Sequence, residues 1–244
     1  MEAVQIKFAK FNFGEFPMSD IFNEAAVGEY TTALKELRAE KTVQRALGKS
    51  FTRYENLIAN ATEESTIKPA CKAGCAYCCY YKVEVMAHEM FLIKDYLQKN
   101  WQPSQIESLL NEAEENAKTI RTLTQEQHLT TNIKCVFLEN NQCSIYSMRP
   151  FKCRNFHATN AKACEQSFND PENLSIENNF VETIAMFGNA HSQGFETAIK
   201  NVGKDSRAYD FTTALLEVFA EPNAFKRFSK GKKTFTKAIE VKDI

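Results

Sequence analysis

The sequence predicts a mainly α fold in which helices pack around a cysteine-rich loop region. Three observations lead there. Apolar residues recur at helical spacing in five separate stretches. Turn formers are scarce, with 8 Gly and 6 Pro in 244 residues, which disfavours β-rich folds that need many tight turns. All eight cysteines fall between Cys71 and Cys164, where regular periodicity is weakest.

The elements follow in chain order. Ser19-Asp20 can start a first helix over 19–48, with Ala26, Tyr30, Ala33, Leu34 and Leu37 on one face. The polar run Asn60 to Ser65 reads as a linker into the first cysteine group. Met86, Met90, Ile93 and Leu97 mark a second helix at about 84–99. Ser104 and Glu107 form a capping box for a third, carried by Ile106, Leu109, Leu110, Ala113, Ala117 and Ile120. Residues 130–173 lose periodicity. Ile184 to Val202 and Phe211 to Phe219 restore helical faces, and the basic end from Phe225 is expected to fray. The whole chain reads as a single domain, 1–244. Its cysteine region, about 69–171, lies between helical N- and C-terminal extensions.

Composition sets further bounds. At 43% hydrophobic residues, burial alone can support a core. A net charge of −1 argues against a general nucleic-acid coat, which needs a basic surplus. Met1 to Phe8 lacks the apolar core of a signal peptide, and no run approaches the length of a spanning helix. A reducing cytoplasm is the expected compartment, with no membrane partner and no nucleic acid. Structural disulfides are rare there.

The cysteines carry the functional reading. Cys71, Cys75, Cys78 and Cys79 lie close enough to converge from one loop, with Gly74 relaxing the backbone between two of them. Cys135 and Cys143 flank Asn140-Asn141, which should turn the chain and bring them together. Cys153 and Cys164 follow. Lys134, Arg149, Lys152 and Arg154 flank this second group, and Lys72 and Lys82 the first. Cations offset the negative charge that several thiolates on one metal leave behind. Scattered core thiols would not cluster so tightly, and a disulfide framework suits neither the compartment nor the adjacent pair Cys78-Cys79. Metal ligation by all eight is expected. The two groups should meet in space, the chain returning through an antiparallel hairpin of the second and third helices. Eight thiolates can supply two four-cysteine sites, or one site with spare ligands. An iron–sulfur cluster is favoured over zinc on the number of thiolates and the flanking cations; adjacent Cys78-Cys79 fits neither zinc-ribbon nor ferredoxin spacing.

The segments Cys71-Lys-Ala-Gly-Cys-Ala-Tyr-Cys-Cys79 and Cys135-x7-Cys143-Ser-Ile-Tyr-x2-Arg-Pro-x2-Cys153-Arg, with Glu89 between them, resemble the YkgJ-type cysteine-cluster family. That family is also called CxxCxxCC. The stretch from Arg154 through His157 to Cys164-Glu165 is similar to its continuation. Three residues separate Cys71 from Cys75, where the family name has two. The resemblance implies zinc or iron chelation. The family includes the flagellin lysine methylases, so it also keeps a protein lysine N-methyltransferase-like enzyme open beside a zinc-binding structural or interaction module. Cys71-x3-Cys75-x2-Cys78 also looks like a radical SAM motif, but the helical, glycine-poor setting does not suit the βα barrel of those enzymes.

Among other candidates, His157 can ligate metal or support a ligand. Glu89 can orient a ligand or pair with Arg149 or Arg154. His191 reads as a core residue, and His88 and His128 have nothing to raise them above background. The terminal lysines read as a solvated tail. No phosphate loop, Gly-x-Ser-x-Gly or His-Glu-x-x-His is present, so hydrolase and nucleotide-binding classes have no support.

Overall fold

A computed structural model of the chain describes residues 20–177 and 179–241. The reading of Met1 to Phe8 and the proposed helix start at Ser19 lie outside these residues. Among the described residues the fold is mainly α, with ten helices and five short strands. No described helix is long and apolar enough to cross a membrane.

The expected helix over 19–48 is two helices, α1 (Asp20–Ala39) and α2 (Val43–Glu64). The break comes from a cap that periodicity does not reveal. Thr42 adopts an extended backbone, and its hydroxyl accepts the Arg45 N–H at 3.4 Å. Helix α2 then runs straight through the polar stretch read as a linker. Its buried stripe of Leu47, Phe51, Tyr54, Ile58 and Ala61 shows why: packing of an apolar face outweighs a polar helix end.

Strand β1 (Glu84–Met86) leads into α3 (Ala87–Asn100), and α4 (Pro103–Ile120) follows. Ser104 is not the cap of α4. Gln102 is, with its N–H donated to the Gln105 side chain at 2.8 Å, because Pro103 takes the first helical position, where no N–H is needed. The two helices expected as a hairpin follow one another through a two-residue link, and their mutual packing is slight. Helix α4 packs chiefly on a later helix, α9 (Phe211–Ala220), and only lightly on α3. Short α5 (Gln125–Leu129) then delivers the second cysteine segment. That segment contains β2 (Leu138–Glu139), β3 (Gln142–Cys143), α6 (Phe151–Arg154) and α7 (Ala161–Asn169).

Helix α8 (Glu182–Asn201) lies against α1. Their approach is so close that a Cβ on Gly194 would stand 2.4 Å from the Ala26 carbonyl oxygen. Strand β4 (Ala208–Asp210), α9 (Phe211–Ala220), α10 (Ala224–Ser229) and β5 (Glu240–Val241) complete the described chain. The small antiparallel sheet has order β1-β4-β5, pairing Val85 with Tyr209 and Tyr209 with Glu240. One apolar core draws on Ala33, Leu47, Tyr54, Met90, Phe195, Tyr209, Phe228 and Phe235.

Up to Val241, where the described residues end, the basic end is held in place and not frayed as expected. Buried Glu217 accepts the backbone N–H groups of Thr236, Lys237 and Ala238 at 2.6–2.7 Å. Buried Asp205 accepts the Thr234 N–H at 2.8 Å and the Tyr209 hydroxyl at 2.7 Å. Phe228, Thr234 and Phe235 are fully buried. Two inward acids thus anchor a segment whose lysines look outward.

His191 is a core residue, as expected. It sits beside Ser50 and Glu29, and Arg53 pairs with Glu29 at 2.7 Å. His128 has neighbours that its sequence context hides. It is buried beside Asp210 and Lys82, and burial holds its imidazole below the usual range.

His88 is buried against Phe195, and its Nδ1 has no hydrogen-bond partner. Burial pushes it down to about 3. A histidine depressed in the folded state contributes full stability above its unfolded value, about 6.5. That stability drains away as pH falls through 6.5 toward the folded value, at about 1.4 kcal/mol per unit once the unfolded imidazole is charged. The urea midpoint should therefore fall between pH 7 and pH 5, and His88→Leu should make that fall shallower. Equal slopes in the two proteins would show that His88 already titrates normally in the fold.

Candidate metal centre

Four local devices bring the cysteines together. The first fixes the lead-in. Lys68 closes the end of α2, donating to the Thr62 and Glu63 carbonyls at 2.6 and 2.9 Å. The Ala70 N–H then donates to the Ala158 carbonyl at 2.7 Å, so Cys71 runs beside the 156–158 segment. Its Sγ lies 3.7 Å from the Phe156 carbonyl oxygen and 3.9 Å from that of Ala158.

The second device is the turn after it. Gly74 sits at φ +84°, a left-handed conformation that favours glycine, and the Cys75 N–H closes back on the Lys72 carbonyl at 3.0 Å. A 3₁₀ turn over Tyr77–Tyr80 then carries Cys78 and Cys79.

The third device joins the two groups. The Cys135 N–H donates to the Cys79 carbonyl at 2.8 Å, and the Ile133 N–H to the Tyr80 carbonyl at 3.0 Å. The Leu138 N–H returns to the Cys135 carbonyl at 2.9 Å, and Leu138 faces Cys143 across the β2–β3 hairpin. Asn140 and Asn141 form its turn at φ 50° and 59°, the left-handed pair that a two-residue hairpin loop with matching twist requires. The expected turn and the expected meeting of the two groups are both present.

The fourth device places the last two cysteines. Cys153 lies on α6, whose first N–H, from Phe151, donates to Glu89 Oε1 at 2.8 Å. Glu89 Oε2 accepts the Met86 N–H at 2.8 Å. This carboxylate is buried and ties the start of α3 to the start of α6, a positioning role instead of a solvated surface one. Arg154 is buried too, stacked on the Phe51 ring at 3.9 Å and bonded to Glu55 and to the Ser147 and Arg149 carbonyls. Cys164 lies on α7, capped by Asn160, whose Oδ1 accepts the Lys162 and Ala163 N–H groups at 3.0 and 3.2 Å. Phe168 of α7 packs on Tyr77 and Tyr80, and the Tyr77 hydroxyl donates to Glu165. Asn160 and the Tyr77–Glu165 contact escaped the sequence reading. An Asn directly before the helical run Ala161-Lys-Ala-Cys was the available signal.

All eight cysteines are free thiols, Cys71 exposed and the others half-buried. Their crowding shows in their acidities. Burial, and after it the neighbouring Cys79 and Cys143, push Cys135 up to about 12. Burial, followed by Cys135, Cys143 and Cys79, pushes Cys153 well above the usual thiol range. Burial, with Cys71 and Cys75 behind it, takes Cys164 to about 11. Cys78 donates to Cys79, which raises the first and lowers the second. A set of thiols that resist ionisation together is one that a bound cation would relieve.

The flanking cations behave differently from one another. Arg149 faces Cys71, Cys79, Cys143 and Cys153 and favours their ionised forms, and Arg154 does the same for Cys143. Lys134 turns away toward Glu112 at 3.8 Å, and Lys82 toward Glu84 at 3.5 Å. The His157 Nε2 is buried without a hydrogen-bond partner, and burial takes this imidazole down to about 4. Among the described residues, no three His, Cys, Asp or Glu side chains already stand in metal-holding geometry. The fit to a metal is one of donor chemistry: soft sulfur donors gathered on a held backbone, which ligate on losing their protons.

Residues 70–172 match the family model CxxCxxCC, described as "Putative zinc- or iron-chelating domain". This stretch is similar to the CxxCxxCC family. The match spans less than half of the chain and contains all eight cysteines together with Glu89. No curated protein and no solved structure matches the chain. The matched segment contains both cysteine groups, and α1, all of α2 and everything from α8 onward lie outside it.

Proposed function

We propose that the chain is a metal-binding protein that uses Cys71, Cys75, Cys78, Cys79, Cys135, Cys143, Cys153 and Cys164 as thiolate ligands. The observation that carries this reading is the crowding of eight free thiols by four independent backbone devices, within a segment of a zinc- or iron-chelating family. The chain is read as one domain, 1–244, whose helices support the cysteine region, with the reducing cytoplasm as its setting.

Iron as an iron–sulfur cluster is favoured over zinc. Clusters take Cys ligands and spread negative charge over a large volume, and the Arg149 charge favours the ionised form of four of the thiols. Protein purified and reconstituted with iron and sulfide under anaerobic conditions should be brown, hold acid-labile sulfide and bleach in air. Zinc has a filled d shell and gives a colourless protein indifferent to dithionite. Aerobic preparations do not discriminate, because zinc outcompetes ferrous iron at such sites. Failure to take up iron and sulfide together, with zinc retained in whole-number ratio, would overturn the iron assignment.

A further inference from the structure

Resting on the metal reading, we infer that the eight thiols serve two separate centres: Cys79, Cys135, Cys143 and Cys153 hold one, and Cys71, Cys75, Cys78 and Cys164 hold the other. The sequence leaves one site and two sites equally open. The backbone distinguishes them.

The first set is tied together by hydrogen bonds and one hairpin. Cys135 is bonded to Cys79 through the main chain, Leu138 returns to Cys135, and Cys143 lies opposite Leu138. Cys153 is delivered to the same place by α6, which Glu89 holds against α3. Within this set Cys153 lies near Cys135, Cys143 and Cys79, and Cys143 near Cys79, while Cys78 also stands beside Cys79 and Cys153.

The second set is built on a different support. Cys71 is fixed to the 156–158 segment, and Cys75 follows through the Gly74 turn. Helix α7 brings Cys164 back over this loop, held by Phe168 on Tyr77 and Tyr80 and by the Tyr77–Glu165 hydrogen bond. The cysteine neighbours of Cys164 are Cys71 and Cys75, and none of the first set.

The adjacent pair marks the seam. A 3₁₀ turn has about three residues per turn, so neighbouring side chains leave it about 120° apart. Cys79 points to the first set. Cys78 remains within S–H···S reach of Cys79 and also faces Cys71 and Cys153. Its assignment to the second set completes four donors there, and four is the number that a tetrahedral zinc or a four-iron cluster takes from protein. This accounts for vicinal cysteines that no single-centre spacing explains.

The test is metal content of the full chain purified and reconstituted without oxygen, with helicity by circular dichroism as a folding control. Cys143→Ser and Cys164→Ser should each keep about half of the wild-type metal, and the double variant almost none. Cobalt(II) added to the stripped protein gives an independent count by sulfur-to-metal absorption: two equivalents in the wild type and one in each single variant. If one single variant misfolds, Cys135→Ser or Cys71→Ser reports on the same set. A single variant that loses all metal while keeping its helicity would overturn the partition in favour of one shared centre. Full retention by Cys164→Ser would remove the second set. A wild-type chain that takes up no metal at all would overturn the underlying reading, and the partition with it.

Discussion

Stripping the metal with a strong chelator should lower the melting temperature of the chain by more than about 10 °C. The loss should be local in origin. Residues 66–83 and 130–172 contain only short helices and two-residue strands, so few backbone hydrogen bonds hold them without help. Cys135, Cys153 and Cys164 resist ionisation when metal is absent, and binding replaces those protons with a cation. Structural zinc in small domains contributes roughly 10–16 kcal/mol of apparent binding free energy at neutral pH. Even about 5 kcal/mol of that, expressed as folding stability, moves the midpoint of a chain this size by about 10–20 °C. Hydrogen exchange should locate the effect. Amides of 70–81 and 133–165 should lose protection, while α1 and α8, locked by the Gly194 approach, should keep theirs. An unchanged melting temperature and unchanged protection after metal removal would mean that the cysteine region is held by its own packing.

The helices were legible because their signal is local and repeated. Met86 to Leu97, Ile106 to Ile120 and Phe211 to Phe219 each carry a face of apolar residues that the fold buries. What sequence periodicity misses is competition at the ends. Thr42 breaks the predicted first helix because one hydroxyl satisfies an orphan N–H, and Pro103 shifts the cap of α4 back to Gln102. The tail was misread for a different reason. Its lysines suggest a solvated segment, yet the acids that dock it, Asp205 and Glu217, lie up to 29 residues earlier in the chain. No local pattern reveals a long-range backbone anchor of this kind.

The cysteine region shows the same division. The Asn140-Asn141 turn and the Gly74 turn were readable, because only a few residue types accept positive φ. The main-chain bond from Cys135 to Cys79 was expected only as a meeting of two groups, and the α3–α4 packing expected to produce it is slight. Helix α4 turns onto α9 instead. Charge was the least readable feature: of the flanking cations, Arg149 faces four of the thiols and Lys134 turns to Glu112. A basic residue near a cysteine in sequence does not reveal which way its side chain points.

Glu89→Ala should cost about 2–4 kcal/mol and also weaken metal binding. Both carboxylate oxygens are occupied, one by the Phe151 N–H and the other by the Met86 N–H, each at 2.8 Å. Alanine leaves two buried donors unpaired, at about 1–3 kcal/mol each, less the desolvation that the buried carboxylate itself suffers. Glu89→Gln should fall between the two, because its amide offers one acceptor and turns an N–H₂ toward the other donor. The effect on metal follows from position. Phe151 opens α6, and α6 carries Cys153 two residues later. With the anchor gone, α6 can drift from α3 while the rest of the fold persists. Metal affinity measured well below the melting temperature separates the two effects. An Ala variant that melts early yet binds metal as tightly as the wild type would make Glu89 a stabilising residue only. Weaker binding in the still-folded variant, partly restored in Glu89→Gln, is the result expected of a residue that positions Cys153.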